Sequence, residues 1–466
     1  MRTLISNKIF VYGASKELTE WCEKHLVIVN PTYATLKRLG KDDTIIRKHI
    51  PESMYLYVEK NHNDLIIPFG VLRAIWSYIK DSPVELKFNE NKTVINQHQE
   101  ISMPLFDYQE RAVQKMLQAK GGIIEASCGA GKTTLGIELA KRLGQNTLWL
   151  CHTSDLLNQT VNRIKKLYPL LPVGTITEGK VSMVKNGITV STIQTISNLD
   201  PDIYREHFNT IITDECHRVS SSPTLQKMFG RVLDTIPARY KFGLTATPKR
   251  SDTLIKSMYC SLGVNEDGKF APTHIIPKSE TNTLTAKHIR IDLNTPFSFE
   301  TVQTDGMIDY NALIDFLSEN KERNERIIED SINALKTHKK EVILCQRVAH
   351  AKLLYEMLLA KGIKAVLLVG DVSKKERKQI LEGHKEYSII VATYALCAEG
   401  LDIPDLSLLV YAMFTGNEKD TTQSAGRIER VCEGKAEPEI YDYVDINYPY
   451  CVKKFEKRRK CLAKRK

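Results

Sequence analysis

The feature that most constrains this chain is a short glycine-rich segment at residues 126–133, which reads Ala-Ser-Cys-Gly-Ala-Gly-Lys-Thr. An apolar run at 122–125 precedes it, and leucines at helical spacing follow it at 135, 139 and 143. Small residues let backbone N–H groups wrap around phosphate oxygens, and the start of a helix favours negative charge. The segment therefore predicts a strand, a phosphate-binding loop and a helix, the connection found in parallel α/β sheets.

This segment carries the groups with which a Walker A loop binds ATP and Mg²⁺. Lys132 would reach the β and γ phosphates, and the Thr133 hydroxyl would ligate Mg²⁺. We predict that the nucleotide is bound by Ala126, Ser127, Cys128, Gly129, Ala130, Gly131, Lys132, Thr133 and Thr134. Ala126 stands where glycine is usual. The alternative is a glycine-rich turn without a ligand, which the combination of strand, loop and helix disfavours.

Two acids, Asp214 and Glu215, directly follow a second apolar run at residues 210–213. Hydrolysis of ATP needs one carboxylate to hold Mg²⁺ and another to activate water. We predict the first role for Asp214 and the second for Glu215. Since the carboxyl end of a parallel strand faces the ligand crevice, both acids would face that crevice. A lone acidic pair is more often on the surface, but the apolar run before this pair disfavours that interpretation.

Short apolar runs alternate with helical stretches from about residue 100 to 262 and again from about 321 to 450. This rhythm predicts an α/β fold with two tandem parallel-sheet lobes, preceded by a small α+β domain. We divide the chain into an accessory domain at 1–98 for substrate or partner contact, an ATP-binding lobe at 99–262, an irregular linker or insert at 263–320, a second lobe at 321–450, and a basic tail at 451–466.

The chain carries a formal net charge of +10, which favours polyanionic partners such as nucleic acid. Nine Lys or Arg residues and one acid lie between residues 453 and 466. This run would either contact phosphates without reading sequence or form a solvated, frayed end. The sequence leaves both interpretations open.

The ten cysteines include no C-x-x-C pair, which indicates a reduced intracellular protein without a structural zinc site. We find no secretory signal and no apolar run long enough to span a membrane. These features predict a cytoplasmic protein, in the host cytoplasm if the source is a virus or phage.

The ordered motifs resemble those of the superfamily 2 DEAD/DEAH-box helicases, and Asp-Glu-Cys-His at 214–217 is a variant of the box itself. Tyr108-Gln109 resembles the Q motif. Further matches follow in the family's order at 151–159 (motif Ia), 190–195 (Ic), 244–248 (III), 342–347 (IV), 391–393 with 399–404 (V) and 423–430 (VI). The segment LTATPKRSD at 244–252 further resembles the branch of XPB and phage UvsW, with Ser251 in place of the usual acid. The resemblance implies two RecA-like lobes.

The resemblance also implies residue roles. Gln109 would read adenine, Gly400 and Asp402 would line the nucleotide cleft, and Arg427 and Arg430 would stabilise charge on the γ-phosphate. Coupling of nucleotide state to movement falls to His217, Thr245, Thr247 and Gln423, and contact with the nucleic-acid backbone falls to Thr153, Thr192, Gln194 and Thr393. The alternatives are exposed arginines on a helix and buried caps or turn residues.

These observations predict an ATP-dependent helicase or translocase with Mg²⁺ as cofactor, acting on DNA rather than RNA. An RNA helicase is one alternative, because motor motifs contact the backbone. A nucleic-acid-dependent ATPase that remodels protein–nucleic-acid complexes without separating strands is another. Proteins of replication, repair or transcription are the expected partners.

Overall fold

The computed structural model of the chain describes residues 1–60, 63–89, 103–127, 129–220, 223–246, 254–281, 283–303, 307–337, 340–372, 374–394, 396–397, 401 and 403–463. The chain divides into two compact units, one of Met1–Ser127 and Gly131–Pro277 and one built mainly from Lys278–Lys466. In these described ranges, the helices are too short or too polar to cross a membrane.

The first unit begins with a small α+β module. Within the described residues its main sheet has the order β5-β6-β2-β1-β7, with bounds β1 Arg2–Ile5, β2 Lys8–Tyr12, β5 Val58–Lys60, β6 Asp64–Pro68 and β7 Val84–Leu86. Alternate residues of β2 and β6 are buried, which is the pattern of strands with one face on a core. Helices α1 (Lys16–His25) and α4 (Leu72–Ile79) cover that face. Between α1 and β5, the strands β3 (Val27–Val29) and β4 (Ser53–Tyr55) pair with each other, and the helices α2 (Pro31–Arg38) and α3 (Asp43–His49) lie between them in sequence.

This module is fastened to the parallel sheet that follows it. The guanidinium of Arg73 donates to the carbonyl oxygens of Val264 (2.8 Å), Gly121 (3.2 Å) and Ala119. A β-carbon at Gly70 would lie 2.2 Å from the carbonyl oxygen of Tyr259, so the two backbones approach closely at a residue that must be glycine. The module therefore packs directly on the lobe. Residues 90–102, which span the predicted boundary between the accessory domain and the lobe, lie outside the described residues.

The rest of the first unit is a sheet whose described strands have the order β11-β10-β12-β9-β13-β14-β8-β15. Their bounds are β8 Gly122–Ala126, β9 Thr147–Cys151, β10 Val173–Thr177, β11 Lys180–Ser182, β12 Ile188–Thr192, β13 Thr210–Thr213, β14 Tyr240–Thr245 and β15 His274–Ile276. All pair in parallel except β10 with β11. The helices are α5 Asp107–Ala119, α6 Lys132–Leu143, α7 Ser154–Leu167, α8 Ile193–Ser197, α9 Pro223–Leu233 and α10 Ile255–Leu262. Because β13, β14 and β8 are neighbours, the loops that leave them meet at one edge of the sheet.

The second unit contains a parallel sheet whose described strands have the order β16-β21-β20-β17-β19-β18. The strands are β16 Lys287–Leu293, β17 Lys340–Cys345, β18 Ala365–Leu368, β19 Ile389–Thr393, β20 Leu406–Tyr411 and β21 Glu439–Asp445. The helices are α11 Tyr310–Glu319, α12 Lys321–Leu335, α13 Val348–Ala360, α14 Lys374–Glu382, α15 Glu418–Ile428 and α16 Pro449–Ala463. The prediction of an α/β fold with two parallel-sheet lobes after a small α+β module is confirmed.

Two parts of the chain are more regular than the sequence suggested. The stretch 263–320, expected to be irregular, supplies an edge strand to each parallel sheet (β15 and β16) and the helix α11. Edge strands are half exposed, so polar residues interrupt their apolar pattern and weaken the sequence signal.

The interpretation of the basic end as a frayed tail is wrong for residues up to 463, because they belong to helix α16. Arg458 on this helix is 1% exposed and is paired with the buried Asp442 at 2.5 Å. The acid that satisfies this arginine lies on β21, so the charge run alone gave no sign of burial.

Glu341 on β17 is expected to make the stability of the second unit depend on pH. The side chain is fully buried, and burial raises its pKa from 4.5 to about 8, with the Ser331 hydroxyl opposing the shift. The folded protein keeps this proton where the unfolded chain releases it, so stability falls as the pH rises from about 4.5 towards 8. We expect Glu341→Gln, which cannot ionise, to raise the free energy of unfolding at pH 8 by about 2–4 kcal/mol.

Thermal melts of wild type and Glu341→Gln at pH 6 and pH 8 measure the effect. The quantity compared is the melting temperature of the transition in which this unit unfolds. The matched control is Glu356→Gln, at an exposed position on α13. Equal melting temperatures of the two variants at both pH values would contradict the assignment.

Candidate active site

The loop between β8 and α6 has the backbone that a phosphate cradle requires. Gly129 and Gly131 have φ angles of 88° and 79°, in the left-handed region that favours glycine. Lys132 is the first residue of α6, and its Nζ lies 3.2 Å from the carbonyl oxygen of Ala126 and 3.5 Å from that of Ser127. The amine is thus folded over its own loop. Cys128 lies outside the described residues.

Gln109 on α5 is held against this loop. Its side chain is 5% exposed, and its Oε1 accepts a hydrogen bond from the backbone N–H of Phe106 at 3.1 Å. A β-carbon at Gly131 would lie 2.4 Å from Nε2 of Gln109, so a larger residue at 131 would displace the amide. The structure therefore places the predicted adenine reader beside the phosphate-binding loop.

The helix that follows the loop is clamped by two arginines. Arg142 donates to both carboxylate oxygens of Glu110 on α5, at 2.6 and 2.7 Å, and to Glu138 on its own helix at 2.6 Å. Arg163 on α7 donates to the hydroxyl of Thr134 at 3.0 Å. Thr134, predicted to bind nucleotide, is 6% exposed and its hydroxyl is used in this contact. Neither arginine was predicted to be part of the site. The i, i+4 spacing of Glu138 and Arg142 is the local pattern that indicates a helical ion pair.

Asp214 and Glu215 lie directly after β13, at the sheet edge that β8 and β14 share. Asp214 is 7% exposed and accepts the backbone N–H of Glu215 at 2.9 Å. Glu215 has a φ angle of 47°, an uncommon conformation that costs about 1–3 kcal/mol in non-glycine residues. Burial and the charge of Glu215 raise the pKa of Asp214 above its ordinary value, and Lys132 opposes this shift. Opposite charge favours an ionised carboxylate, so this pocket suits a cation.

The donor atoms fit Mg²⁺ in particular. The Asp214 carboxylate and the Thr133 hydroxyl are hard oxygen ligands of the kind that this ion prefers. In the described part of the chain, no group of three or more His, Cys, Asp or Glu residues could hold a metal without other ligands. Mg²⁺ is usually bound by one or two carboxylates together with substrate phosphates and water, so a nucleotide would complete the set.

His217 connects the acidic pair to the neighbouring strand. Its Nδ1 lies 3.1 Å from the hydroxyl of Thr245 at the end of β14 and 3.2 Å from Oε2 of Glu215. The ring is 9% exposed, so its orientation is fixed by packing. Two of the four residues predicted to couple nucleotide to movement, His217 and Thr245, thus contact each other, and His217 also contacts the predicted base. Thr247 lies outside the described residues.

In the second unit, α15 carries Gln423 and Arg427, and Arg430 follows the helix end. Between the arginines, Glu429 is 3% exposed and accepts from Nζ of Lys278 at 2.9 Å and from the backbone N–H of Ala286 at 3.2 Å. These contacts fix the backbone from which the two arginines extend. Gly400 and Asp402 lie outside the described residues.

The residues predicted to touch nucleic acid are placed at strand ends. Thr153 caps α7 by accepting the N–H of Leu156 at 3.3 Å, and Thr192 caps α8 by accepting that of Thr195 at 3.3 Å. Both hydroxyls therefore cap helices in this structure. Gln194 on α8 and Thr393 at the end of β19 are half-buried.

Two protein families match the chain. Residues 102–250 match the family described as Type III restriction enzyme, res subunit, and residues 322–432 match the helicase conserved C-terminal domain. The first match contains the phosphate-binding loop and the acidic pair, and the second contains Thr393, Gln423, Arg427 and Arg430.

Similar proteins are known from a phage and an archaeon. A protein of Escherichia phage T5 named as a probable helicase is 24% identical over 454 residues, which cover 95% of this chain and 90% of that protein. A Sulfurisphaera tokodaii protein named DNA 3'-5' translocase XPB2 is 27% identical over 387 residues, covering 77% of this chain and 86% of that protein. The structure of S. cerevisiae Dbp5 bound to RNA and ADP BeF3 gives a TM-score of 0.55 at 16% identity, over 85% of this chain and 92% of that one. This structural similarity shows the same fold.

Proposed function

Because the chain belongs to the superfamily 2 helicases and is an ATP-hydrolysing enzyme, we propose that it works on DNA as a translocase that unwinds or remodels duplex or branched substrates. One observation carries the proposal. The phosphate-binding loop, the Asp214–Glu215 pair and the Thr245–His217 contact lie at the carboxyl ends of three neighbouring strands. The proposed site of phosphoryl transfer and the His217–Thr245 contact proposed to couple it to movement therefore lie at the same edge of one sheet.

Each residue has a distinct chemical task in this proposal. Lys132 neutralises the β and γ phosphates, and Gln109 holds the adenine. Glu215 accepts a proton from the attacking water, and Arg427 and Arg430 stabilise the charge that develops on the γ-phosphate. Thr133 and Asp214 would hold Mg²⁺, which supplies further charge neutralisation when it is bound.

Coupling to movement would run through His217. Loss of the γ-phosphate changes the surroundings of Glu215, and His217 touches both Glu215 and Thr245. Gln423 is the corresponding residue that we propose for the second lobe. Thr153, Thr192, Gln194 and Thr393 would bind the nucleic-acid backbone, which grips without selecting sequence.

DNA is proposed over RNA because the archaeal relative is named a DNA translocase and covers most of this chain. The net charge of +10 fits either polymer, and backbone contacts do not separate them. An RNA helicase is therefore the second candidate. We further propose that residues 1–98 contact the substrate or a partner protein of replication, repair or transcription, since the module packs directly on the ATP-binding lobe.

The test is the rate of ATP hydrolysis with single-stranded DNA, duplex DNA, branched DNA and RNA, with Lys132→Ala as the blank. We expect strong stimulation by DNA, weaker stimulation by RNA, and loss of activity in the variant because its phosphate ligand is removed. The matched control is Lys141→Ala, at the other end of the same helix.

Stimulation by RNA alone would replace DNA as the substrate, and an absence of stimulation by every polymer would overturn the motor proposal. A strand-displacement assay on the best polymer then separates unwinding from remodelling. Stimulated hydrolysis without displaced strand would support a clamp or remodelling ATPase instead.

A further inference from the structure

The second unit contains a cleft of about 610 Å³ whose lining includes Tyr310, Gln346, Thr393, Asn417, Asp420 and Lys454. Gln346 follows β17, Thr393 ends β19, and Asn417 lies in the loop after β20, so the cleft opens at the carboxyl ends of three strands. The connection leaving β17 leads to β18 on one side of the sheet, and the one leaving β20 leads to β21 on the other. Such a divergence is where parallel sheets bind ligands, and the volume suits a nucleotide-sized group.

Tyr310, which lines this cleft, belongs to a cluster of three aromatic rings. The Tyr310 ring meets Phe414 edge-on at 5.9 Å and Tyr450 at 6.1 Å, and Phe414 meets Tyr450 at 5.4 Å. Phe414 is 2% exposed, whereas Tyr310 is 42% exposed. The Tyr310 hydroxyl donates to Oε1 of Gln346 at 2.9 Å, and Gln346 Nε2 in turn donates to the Phe414 carbonyl. Tyr310 is therefore a rigid, exposed aromatic ring, which is the property of a stacking platform.

Among the described residues that line the cleft, the cationic side chain is Lys454, from helix α16. Its Nζ lies 4.8 Å from the centre of the Tyr450 ring, and its side chain runs along Gly416, where a β-carbon would lie 2.7 Å from Cδ. In the described structure Lys454 makes no ion pair, whereas Arg458, one turn further on, is paired with Asp442. Lys454 can therefore meet an anionic ligand without first breaking a salt bridge.

The residues that line the cleft do not favour a simple anion as its ligand. Asp420 also lines the cleft, and its carboxylate disfavours a bare phosphate or sulfate. Threonine, asparagine and carboxylate groups can hydrogen-bond to a base, while the exposed tyrosine offers a face for stacking. Duplex bases are already stacked on each other and present no free face. The combined features fit one nucleotide of a single strand.

We propose that this cleft binds single-stranded nucleic acid, with a base stacked on Tyr310 and a phosphate on Lys454. The inference rests on the proposed function and adds a binding element to it. Tyr310 and Lys454 lie outside the segment 322–432 that matches the helicase C-terminal domain, so the family match does not assign them. Helices α11 and α16 flank that segment. They would extend the surface that binds the nucleic-acid strand beyond Thr393.

Binding of a labelled oligothymidylate, measured by fluorescence anisotropy over a range of salt concentrations, tests the lysine. We expect Lys454→Ala to lower the slope of log K against log salt by about 0.7 and to raise Kd about fivefold near 0.1 M salt. Lys454→Arg should restore most of the affinity. Lys453→Ala is the matched control, because that residue is exposed on the same helix and does not line the cleft.

Tyr310→Leu and Tyr310→Trp test stacking. We expect the leucine variant to raise Kd for the single strand by about 5- to 100-fold, because the aromatic face is lost. The tryptophan variant should bind like wild type and show fluorescence quenching when the oligonucleotide is added. Equal melting temperatures would exclude a folding defect as the cause.

Failure of this inference is distinguishable from failure of the proposed function. If nucleic acid stimulates the wild-type ATPase but the Lys454 and Tyr310 variants bind single-stranded nucleic acid like wild type, the cleft does not bind single-stranded nucleic acid. If duplex affinity falls in both variants and single-strand affinity does not, the single-strand assignment is overturned. If no polymer stimulates the wild type, the proposed function itself fails.

Discussion

Replacement of Glu215 by glutamine is expected to reduce the rate constant of ATP hydrolysis by about 10²–10⁴-fold. The amide keeps the size of the side chain but cannot accept the proton of the attacking water. Since Lys132 and Asp214 are unchanged, nucleotide binding should persist. The measurement is single-turnover hydrolysis at saturating nucleic acid, together with the Kd of a fluorescent ATP analogue.

The matched control for this variant is Glu206→Gln, in the same lobe at an exposed acid. A melting temperature equal to that of wild type is also expected, because glutamine and glutamate meet the same backbone constraint at a φ of 47°. Hydrolysis within about twofold of wild type would rule out Glu215 as the base, because a positioned base contributes far more than that.

The second large effect is expected at Arg427, where substitution by alanine should slow hydrolysis by about 10³–10⁵-fold, as for other arginines that stabilise a transferring phosphoryl group. Charge delivered to the γ-phosphate acts mainly in the transition state, so the Michaelis constant for ATP should change far less than kcat. Lysine at this position should rescue little, since it lacks the planar fork of donors.

Arg459→Ala is a suitable comparison, because this arginine is exposed in the same unit and pairs only with Glu456 among the described contacts. A rise in the Michaelis constant with unchanged kcat would show instead that Arg427 contributes to ground-state binding. Arg430→Ala, studied in parallel, reports whether the two arginines share the task.

Local motifs made most of the candidate site predictable. The loop at 126–133 needs glycine at its left-handed positions and lysine at the start of a helix, and all of these residues are adjacent in sequence. The acidic pair after β13 is equally local. Apolar runs also located the strands, because parallel strands are buried on both faces and contain few polar residues.

Contacts between distant segments could not be predicted in this way. Arg163 donates to Thr134 across 29 residues and Arg142 to Glu110 across 32, and neither pair has a fixed spacing in sequence. The buried pair of Arg458 and Asp442 is similar, which is why a basic run suggested a loose end. Edge strands such as β16 were not predicted, because exposed residues interrupt the apolar pattern along them.

In the proposed motor, the contacts of Arg73 would transmit force between the ATP-binding lobe and the amino-terminal module. Its guanidinium ties the amino-terminal module to the end of the helix that carries Gln109 and to the residue before the first strand of the nucleotide-binding sheet. The two parts also share one apolar core, which includes Ile75 and Tyr259. If the proposed function holds, anything bound by the module would therefore move together with the lobe that carries the phosphate-binding loop.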